Sequence, residues 1–371
     1  MHYHIILTEK CDSECRYCYK KSIEEFDNKL DKKFHFDFSS PCNSEIGIRK
    51  LKKFIEKDNE PIVIFYGGEP LLNINKIKEI IDGLSSEVKF RMQTNGKLLD
   101  KLPIQYLKKI DKILISIDGT EQRTDYNRGE GNYKLVIDNI NQIKKLGWKG
   151  EIIARMTISQ EFPDVYEQAK HIIEKTEFGS IHWQLDAGFY KFDFNKEKFK
   201  KFVKEYNQSV STFIDYWIKE MHKGKVLMIY PFVGIALDII TGKETKLRCG
   251  AGHSGYAIIT NGKIVACPIM NNIKEFEAGS LESSPEELKK FDISRKCLLC
   301  SYLKFCGGRC LYWNKADLWP LEGDELICQT IKHLIDEIKN KIPEIQSLID
   351  KKAISIKDLE YEKYFGPEII P

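Results

Sequence analysis

The sequence YHIILTEKCDSECRYC, residues 3–18, joins a short apolar run to three closely spaced cysteines. The run Tyr3–Leu7 is rich in isoleucine and is followed by polar residues, which predicts a buried strand. Cysteines 11, 15 and 18 follow with the spacing CxxxCxxC. In parallel α/β sheets, chemistry collects on loops at the carboxyl ends of strands. This stretch therefore predicts a sheet whose first strand leads into a thiol-rich active-site loop.

Apolar runs of the same kind recur through the first half of the chain. Five follow the first strand: Pro61–Tyr66, Val88–Met92, Lys112–Ile117, Glu151–Ile158 and Ile181–Leu185. Helix-period segments separate them, of which Tyr133–Leu146 with Gly147 as its C-cap is the clearest. Asp164 and Glu167 resemble a capping box at another helix start. The alternation predicts an α/β fold with a parallel sheet and right-handed crossovers. Six such units form an incomplete barrel or an open sheet, and periodicity leaves both open.

The composition is that of a folded protein without charged or apolar extremes. Of 371 residues, 42% are hydrophobic and 30% are charged, which is typical of a globular chain with two or three domains. The net charge is +3 with both signs interspersed, so we predict no nucleic-acid partner. The most apolar stretch, residues 226–240, contains Pro231 and Asp238 and is too short for a membrane span. No basic and apolar leader precedes Cys11, which predicts a cytoplasmic protein.

Eleven cysteines form two groups and one isolated position. Three lie at 11, 15 and 18, one lies at 42, and seven fall between Cys249 and Cys328. In a reducing compartment, short spaced groups indicate metal ligation rather than disulfides. Three thiolates on one loop can hold three irons of a 4Fe–4S cluster and leave the fourth iron open for catalysis. The alternative is a structural zinc knuckle, but His2 and His4 precede the motif rather than follow it.

The first motif resembles that of the radical S-adenosylmethionine (SAM) superfamily, and further residues extend the resemblance. Tyr17 matches the family position near the adenine. Gly67-Gly68-Glu69-Pro70 follows the second strand, where the family carries its motif for the SAM amino group. Two glycines allow a close backbone approach to a ligand, and Glu69 supplies an anion for an ammonium group. Asn95 and Ser116, at the ends of the third and fourth strands, match the family's ribose and carboxylate neighbourhood. Arg155, on the fifth strand, is a candidate for binding the SAM carboxylate by charge and placement, and for all three residues a purely structural role is the alternative.

This resemblance implies a partial (β/α)6 barrel that binds SAM and a 4Fe–4S cluster through Cys11, Cys15 and Cys18. In the family, one electron from the cluster cleaves SAM, and the resulting 5′-deoxyadenosyl radical abstracts hydrogen from a substrate C–H bond. The implied external reductant is of the ferredoxin or flavodoxin type. The barrel would orient the substrate and exclude water and oxygen, so we expect an anaerobic or oxygen-protected setting.

The seven later cysteines resemble the SPASM extension that some members of the superfamily carry. Four of them follow the spacing Cys297-x2-Cys300-x5-Cys306-x3-Cys310, which alone would also fit zinc. The seven together imply two auxiliary Fe–S clusters, and therefore three 4Fe–4S clusters in the protein. The resemblance assigns a distal cluster to Cys297, Cys300, Cys306 and Cys328, and a near cluster to Cys249, Cys267, Cys310 and one further ligand.

The expected organisation has three parts: a radical SAM partial barrel over 1–235, a small Fe–S-binding SPASM domain over 236–340, and a charged tail over 341–371. Two fully ligated clusters need eight cysteines, and the stretch 241–248 supplies none. Either Cys42, His253 or another group completes the near cluster, or one iron is open. We favour the open iron, which could bind a substrate thiolate or, equally, be the site of loss in a degraded cluster.

SPASM-bearing members mostly modify ribosomally made peptides or proteins, so a peptide or protein is the expected substrate. The first hypothesis is a maturase that forms a thioether or a carbon–carbon cross-link, and the cysteine count favours the thioether. A second hypothesis is oxidation of a Ser or Cys side chain, as in sulfatase maturation. Those enzymes carry an Asp at the position of Pro268, so Asp186 or another acid would have to replace it here. A third, from another class, is an Fe–S electron-transfer protein. Only ten residues precede Cys11, so we expect any leader-recognition module to be absent or a separate protein.

Overall fold

The computed structural model describes residues 1–19, 30–186, 194–317 and 319–363, which form a mixed α/β fold around one sheet. The strands of this part of the chain are β1 (His2–Ile6), β2 (Ile62–Tyr66), β3 (Lys89–Thr94), β4 (Ile110–Ser116), β5 (Glu151–Ile158), β6 (Ser180–Leu185), β7 (Met228–Ile229), β8 (Gly255–Ile258), β9 (Lys263–Val265) and β10 (Glu277–Ser280). Their order across the sheet is β10-β9-β8-β1-β2-β3-β4-β5-β6-β7.

Strands β1 to β7 pair in chain order, and every neighbouring pair is parallel. The six strands predicted from the sequence all form, and each end lies within two residues of its expected position. The predicted α/β class with a parallel sheet is therefore confirmed. Side chains of β2, β4 and β5 that point away from the main core form one small apolar cluster together with Tyr230: Ile62, Ile64, Leu114 and Ile153.

Helices pack on the outer face of the sheet and continue through the C-terminal part of the described chain. They are α1 (Ile48–Ile55), α2 (Ile74–Gly83), α3 (Ile104–Leu107), α4 (Glu121–Arg128), α5 (Asn132–Lys145), α6 (Val165–Lys175), α7 (Lys196–His222), α8 (Tyr230–Thr241), α9 (Arg295–Leu298), α10 (Leu303–Cys306), α11 (Leu311–Ala316) and α12 (Leu321–Asp350). Short 3₁₀ helices cover Leu30–Lys32, Pro70–Asn73, Leu99–Lys101, Pro268–Met270, Lys274–Phe276, Pro285–Glu287 and Ile356–Leu359.

Two helix-end predictions have different outcomes. Helix α5 forms as its periodicity indicated, and Gly147 follows it at φ +83°, where a left-handed residue is needed to end the helix. The capping box predicted at the start of α6 is wrong. The Asp164 side chain makes no capping hydrogen bond there, because its carboxylate instead accepts from the guanidinium of Arg123 and the amide of Gln168.

Alternating side chains of β1 separate the core from the barrel interior. Tyr3 and Ile5 of β1, and Leu7 directly after it, are fully buried in the main hydrophobic core beneath the helices. His4, on the opposite face, lines an interior cavity. The outer face of the strand thus stabilises the fold, and the inner face is left for polar side chains.

The C-terminal part of the chain is built onto the same sheet. Strand β8 pairs in parallel with β1 and is followed by the antiparallel strands β9 and β10. Helix α12 packs along α7, and the expected boundary at 340/341 falls inside α12. In the described ranges, no helix is both long and apolar enough to cross a membrane.

Candidate active site and cysteine groups

A cavity of about 210 Å³ lies at the carboxyl ends of the strands, and we call it the main cavity. Cys11, Cys15 and Cys18, on the loop that follows β1, all line its wall. Tyr17 lines it from the same loop. The structure thus brings the three cysteines of the CxxxCxxC motif to one cavity at the edge of the sheet that the sequence indicated.

Gly67 and Gly68 line the main cavity, but the protein's own backbone explains why both are glycine. A Cβ on Gly67 would stand 2.3 Å from the carbonyl oxygen of Thr8, and one on Gly68 would stand 2.3 Å from that of Lys10. The amide of Gly68 donates to Thr8 at 2.9 Å, and that of Glu69 donates to Lys10 at 2.9 Å. The glycines therefore let the end of β2 hold the start of the cysteine loop.

The carboxylate of Glu69 is fully buried and does not line the cavity; Pro70, which begins the next 3₁₀ helix, does not line it either. Glu69 accepts from the amides of Leu71 at 3.0 Å and Asn95 at 2.8 Å, and from the hydroxyl of Thr94 at 2.7 Å. Burial raises its pKa to about 7, although these hydrogen bonds oppose the rise. The side chain expected to face an ammonium group thus organises the loop after β3.

The other three residues expected to contact SAM all line the main cavity. Asn95 also binds the cysteine loop, since its side-chain amide donates to Asp12 at 2.6 Å. Ser116 lies at the end of β4. Arg155 donates to Gln184 at 2.9 Å, and burial lowers its pKa. The Arg155 guanidinium thus lines the cavity in surroundings that disfavour its positive charge.

A buried ion pair beside the cysteine loop was missed by the sequence analysis. Asp118 follows β4 and receives two hydrogen bonds from Arg128 at the end of α4, with N–O distances of 2.9 and 3.0 Å. The hydroxyl of Tyr17 also donates to Asp118. Burial raises the pKa of the Cys15 thiol, and the nearby charge of Arg128 opposes that rise. The position of Asp118 directly after a strand was the one available signal; nothing in the sequence indicates Arg128.

A second cavity, of about 80 Å³, lies next to the main one and is lined by Cys249 and Cys267. Burial raises the pKa of Cys267, and the neighbouring thiols Cys310 and Cys249 add to the rise. Cys310 itself lines the main cavity. The structure therefore brings together the three cysteines expected to bind the near cluster.

Neither of the two named candidates for an eighth ligand lines this second cavity. Cys42 is exposed, and its carbonyl accepts from the amide of Glu9 at 2.8 Å. The ring of His253 lies 3.2 Å from the carbonyl oxygen of Leu247. Of the described histidines, His4 is the one that lines the cavity with Cys249 and Cys267.

A third cavity, of about 580 Å³, is lined by the four cysteines of the expected distal group: Cys297, Cys300, Cys306 and Cys328. Burial raises the pKa of Cys306 to about 11. Asn314 donates to the sulfur of Cys297 at 3.2 Å. Arg309 and Trp313 line both this cavity and the main one. The third cavity therefore adjoins the main cavity.

The donor chemistry suits Fe–S clusters. None of the eleven cysteines is in a disulfide. Among the residues that the structure describes, no three His, Cys, Asp or Glu side chains gather closely enough to hold a single metal ion. A cubane does not require such a group, because each thiolate binds a different iron. Three thiols at one wall, beside hydroxyl, amide and guanidinium groups, fit a cluster with one iron left for an amino-acid ligand.

Comparison with known proteins identifies the class. Residues 5–168 match the family model of the radical SAM superfamily and form a radical SAM domain. Enzymes with this domain bind SAM and a 4Fe–4S cluster, and the later cysteines of this chain have the pattern expected of a SPASM-type C-terminal extension.

Several relatives and one solved structure match most of this chain. The radical SAM cyclopropyl synthase TigE of Paramaledivibacter caminithermalis is 27% identical over 334 residues, which cover 83% of this chain and 67% of TigE. The cysteine-type anaerobic sulfatase-maturating enzyme of Clostridium perfringens is 22% identical, with 81% and 85% of the two chains covered. The structure of anSMEcpe with bound AdoMet and the Cp18Cys peptide has a TM-score of 0.70 at 17% identity, covering 92% and 99%. This likeness shows that the fold is the expected partial barrel.

Proposed function

We propose that the protein is a maturase that cross-links a residue of a ribosomally made peptide through a thioether or a carbon–carbon bond. One observation carries the proposal: the cavity at the CxxxCxxC loop shares its wall with both other cysteine-lined cavities. Tyr66, Gln93 and Arg155 line the main and second cavities together. Arg309 and Trp313 line the main and third cavities together. A substrate in the main cavity would therefore lie beside both auxiliary sites.

In this proposal each cysteine group has a separate role. Cys11, Cys15 and Cys18 hold a 4Fe–4S cluster that, with SAM bound, supplies a 5′-deoxyadenosyl radical. Arg155 pairs with the SAM carboxylate, while Tyr17, Asn95, Ser116 and the Gly67–Pro70 segment shape the rest of the site. The other seven cysteines hold two auxiliary clusters, three clusters in all. An external one-electron reductant and, where the substrate has a leader, a separate recognition protein complete the system.

Electron counting supports a function for the auxiliary sites. Forming a thioether removes one hydrogen atom from a carbon, one proton from a thiol and one further electron. The electron needs an acceptor, and cysteines that hold a redox cluster beside the main cavity would provide one. Forming a carbon–carbon link also releases one electron that needs an acceptor. An electron carrier without substrate chemistry would have no use for a polar cavity at the CxxxCxxC loop.

The named relatives support this class of reaction without deciding the bond. TigE is a cyclopropyl synthase by name, and anSMEcpe was solved with a bound peptide. Side-chain oxidation, as the name of the sulfatase-maturating relative suggests, is the second candidate. Pro268 stands after Cys267, and Asp186 does not line any of the three cavities described above. The acid that sulfatase maturation would lead us to expect is thus missing from both named positions, which counts against this second candidate.

The test uses the full chain, reconstituted anaerobically with iron and sulfide, with SAM, dithionite and the short Cys-containing peptides encoded beside its gene. Mass spectrometry should detect loss of about two mass units. If one thiol of the product resists alkylation, the bond is a thioether. If all thiols can still be alkylated, the bond is a carbon–carbon link. A peptide that gains an aldehyde instead would support side-chain oxidation.

Two cysteine variants sharpen this test. Cys267→Ala should abolish cross-linking while 5′-deoxyadenosine still forms. Cys42→Ala should cross-link normally, because Cys42 is exposed and lines none of the three cavities. If the Cys267→Ala protein cross-links at the wild-type rate, the auxiliary site at Cys267 takes no part in the reaction.

A further inference from the structure

Arg128 carries a buried positive charge to the edge of the cysteine loop. Its side chain is nine-tenths buried, and its Nη1 atom lies 4.0 Å from the sulfur of Cys15. The same guanidinium binds Asp118 through Nη2 and Nε. A single planar group thus joins one thiol of the CxxxCxxC motif to a fully buried carboxylate.

Asp118 is held so firmly that its charge cannot move away from Arg128. Besides the two bonds from Arg128, it accepts from the amide of Thr157 at 2.9 Å and from the side chain of Asn127 at 3.2 Å. The hydroxyl of Tyr17 donates to it as well. The carboxylate therefore has its hydrogen-bonding capacity filled, and the ion pair forms a fixed dipole with its positive end toward Cys15.

The cysteine loop is tied to the same helix end. The amide of Arg16 donates to the carbonyl of Asn127 at 3.0 Å, and the Arg128 guanidinium lies 5.3 Å from the centre of the Tyr17 ring. Helix α4, which ends at Arg128, is fixed at its start by Thr120, whose hydroxyl accepts from the amide of Arg123. The position of the guanidinium relative to Cys15 is thus set by a complete helix.

We propose that the Asp118–Arg128 pair sets the reduction potential of the cluster bound by Cys11, Cys15 and Cys18. Charges and hydrogen bonds near the sulfurs are the means by which proteins adjust such potentials. A cation beside Cys15 stabilises the reduced cluster, which carries one more negative charge, and so raises the potential. The carboxylate behind it partly cancels that effect. Both residues act as positioning and charge-setting groups, and the inference rests on the proposed function of the three cysteines.

The two members of the pair should therefore shift the potential in opposite directions. Arg128→Gln removes the cation and should make the midpoint potential more negative. Asp118→Asn leaves the cation without its partner and should make it more positive. Arg128→Lys should shift the midpoint potential in the negative direction by less than Arg128→Gln does. The lysine keeps a positive charge, but its single ammonium group stays with Asp118 and therefore lies farther from Cys15.

The measurement is a redox titration of the full, reconstituted protein, followed by electron paramagnetic resonance. The SAM-binding cluster is identified by the change of its signal when SAM is added, and the auxiliary signals serve as an internal reference. Arg16→Gln is the matched control, since Arg16 is on the same loop but its side chain is 54% exposed. Its potential should equal that of the wild type because solvent screens the lost charge.

A purely structural role predicts another pattern. Both Arg128→Gln and Asp118→Asn would then lower the melting temperature and the iron content, while the cluster that remains would keep the wild-type midpoint potential. This pattern would overturn the proposal. Midpoint potentials that shift in the same direction in both variants would overturn it as well. If the Arg128→Gln protein binds no cluster, the midpoint potential of the Arg128→Lys protein becomes the test. A wild-type midpoint potential in Arg128→Lys contradicts the proposal. A wild-type protein with no SAM-responsive signal would instead overturn the proposed function and this inference with it.

Discussion

Glu69 shows how a residue of a recognisable motif can act entirely within the protein. Its carboxylate is fully buried, and its three hydrogen-bond donors come from Leu71, Thr94 and Asn95. Replacing one oxygen by an amide in Glu69→Gln would turn an NH₂ group toward one of these donors. We expect a loss of about 1–3 kcal/mol in the free energy of unfolding, the cost of leaving a buried donor without an acceptor.

Denaturant unfolding monitored by circular dichroism measures this loss. Glu60→Gln is the control, because Glu60 is exposed and the same chemical change there should alter stability by less than about 0.5 kcal/mol. Equal stability of Glu69→Gln and the wild type would mean that the carboxylate does not organise the loop after β3.

At the scale of elements, the close contact between the end of β2 and the residues that follow β1 positions the cysteine loop. Gly67 has φ +149°, and its missing Cβ would lie 2.3 Å from the carbonyl oxygen of Thr8. Gly67→Ala must push these two backbones apart, at a cost of roughly 1–3 kcal/mol. Because Thr8 leads into the cysteine loop, we also expect less iron to bind at Cys11, Cys15 and Cys18.

Iron content per protein and melting temperature test this prediction together. Gly47→Ala is the matched control, since a Cβ at Gly47 meets nothing within 4 Å and its φ is −71°. A Gly67→Ala protein with full iron content and unchanged melting temperature would show that the two strand ends tolerate separation.

At the scale of the whole molecule, residues near the C-terminus close the far end of the barrel. Glu362 binds the buried guanidinium of Arg91 in β3 and lies 3.6 Å from the ammonium of Lys112 in β4. Burial opposes ionisation of Glu362, but the nearby His2 ring, the hydrogen bond and charge of Arg91 and the charge of Lys112 outweigh it and lower the pKa of Glu362 to about 2. This carboxylate thus links the end of the chain to the barrel strands.

The lowered pKa makes this link dependent on pH. A carboxyl group whose pKa falls on folding stabilises the protein above its unfolded pKa of 4.5 and loses that contribution as the pH falls toward 2. We expect Glu362→Gln to be less stable than the wild type at pH 7, with the difference shrinking between pH 4.5 and 2. Thermal unfolding of both proteins across this range checks it, and a constant difference would contradict the assigned ion pairs.

Much of the fold and the placement of the main motifs could be predicted from the sequence, because both depend on local patterns. Short apolar runs separated by helix-period segments predicted six strands, and the ends of those strands placed the CxxxCxxC loop and Gly67 at one edge of the sheet. The contact of Gly67 with Thr8 and the pair of Asp118 with Arg128 could not be predicted. Each depends on how distant segments approach in three dimensions. The wrong capping prediction at Asp164 has the same cause, since Arg123 from another helix takes its carboxylate.

The central claim is that the loop holding Cys11, Cys15 and Cys18 cleaves SAM reductively. The most direct measurement is 5′-deoxyadenosine, quantified by liquid chromatography after anaerobic incubation of the reconstituted, dithionite-reduced protein with SAM. We predict its formation by the wild type and by Cys42→Ala, and its absence in a Cys11/Cys15/Cys18→Ala variant that still binds iron at the auxiliary sites. A wild-type protein that retains iron in all its cysteine groups yet yields no 5′-deoxyadenosine would contradict the account.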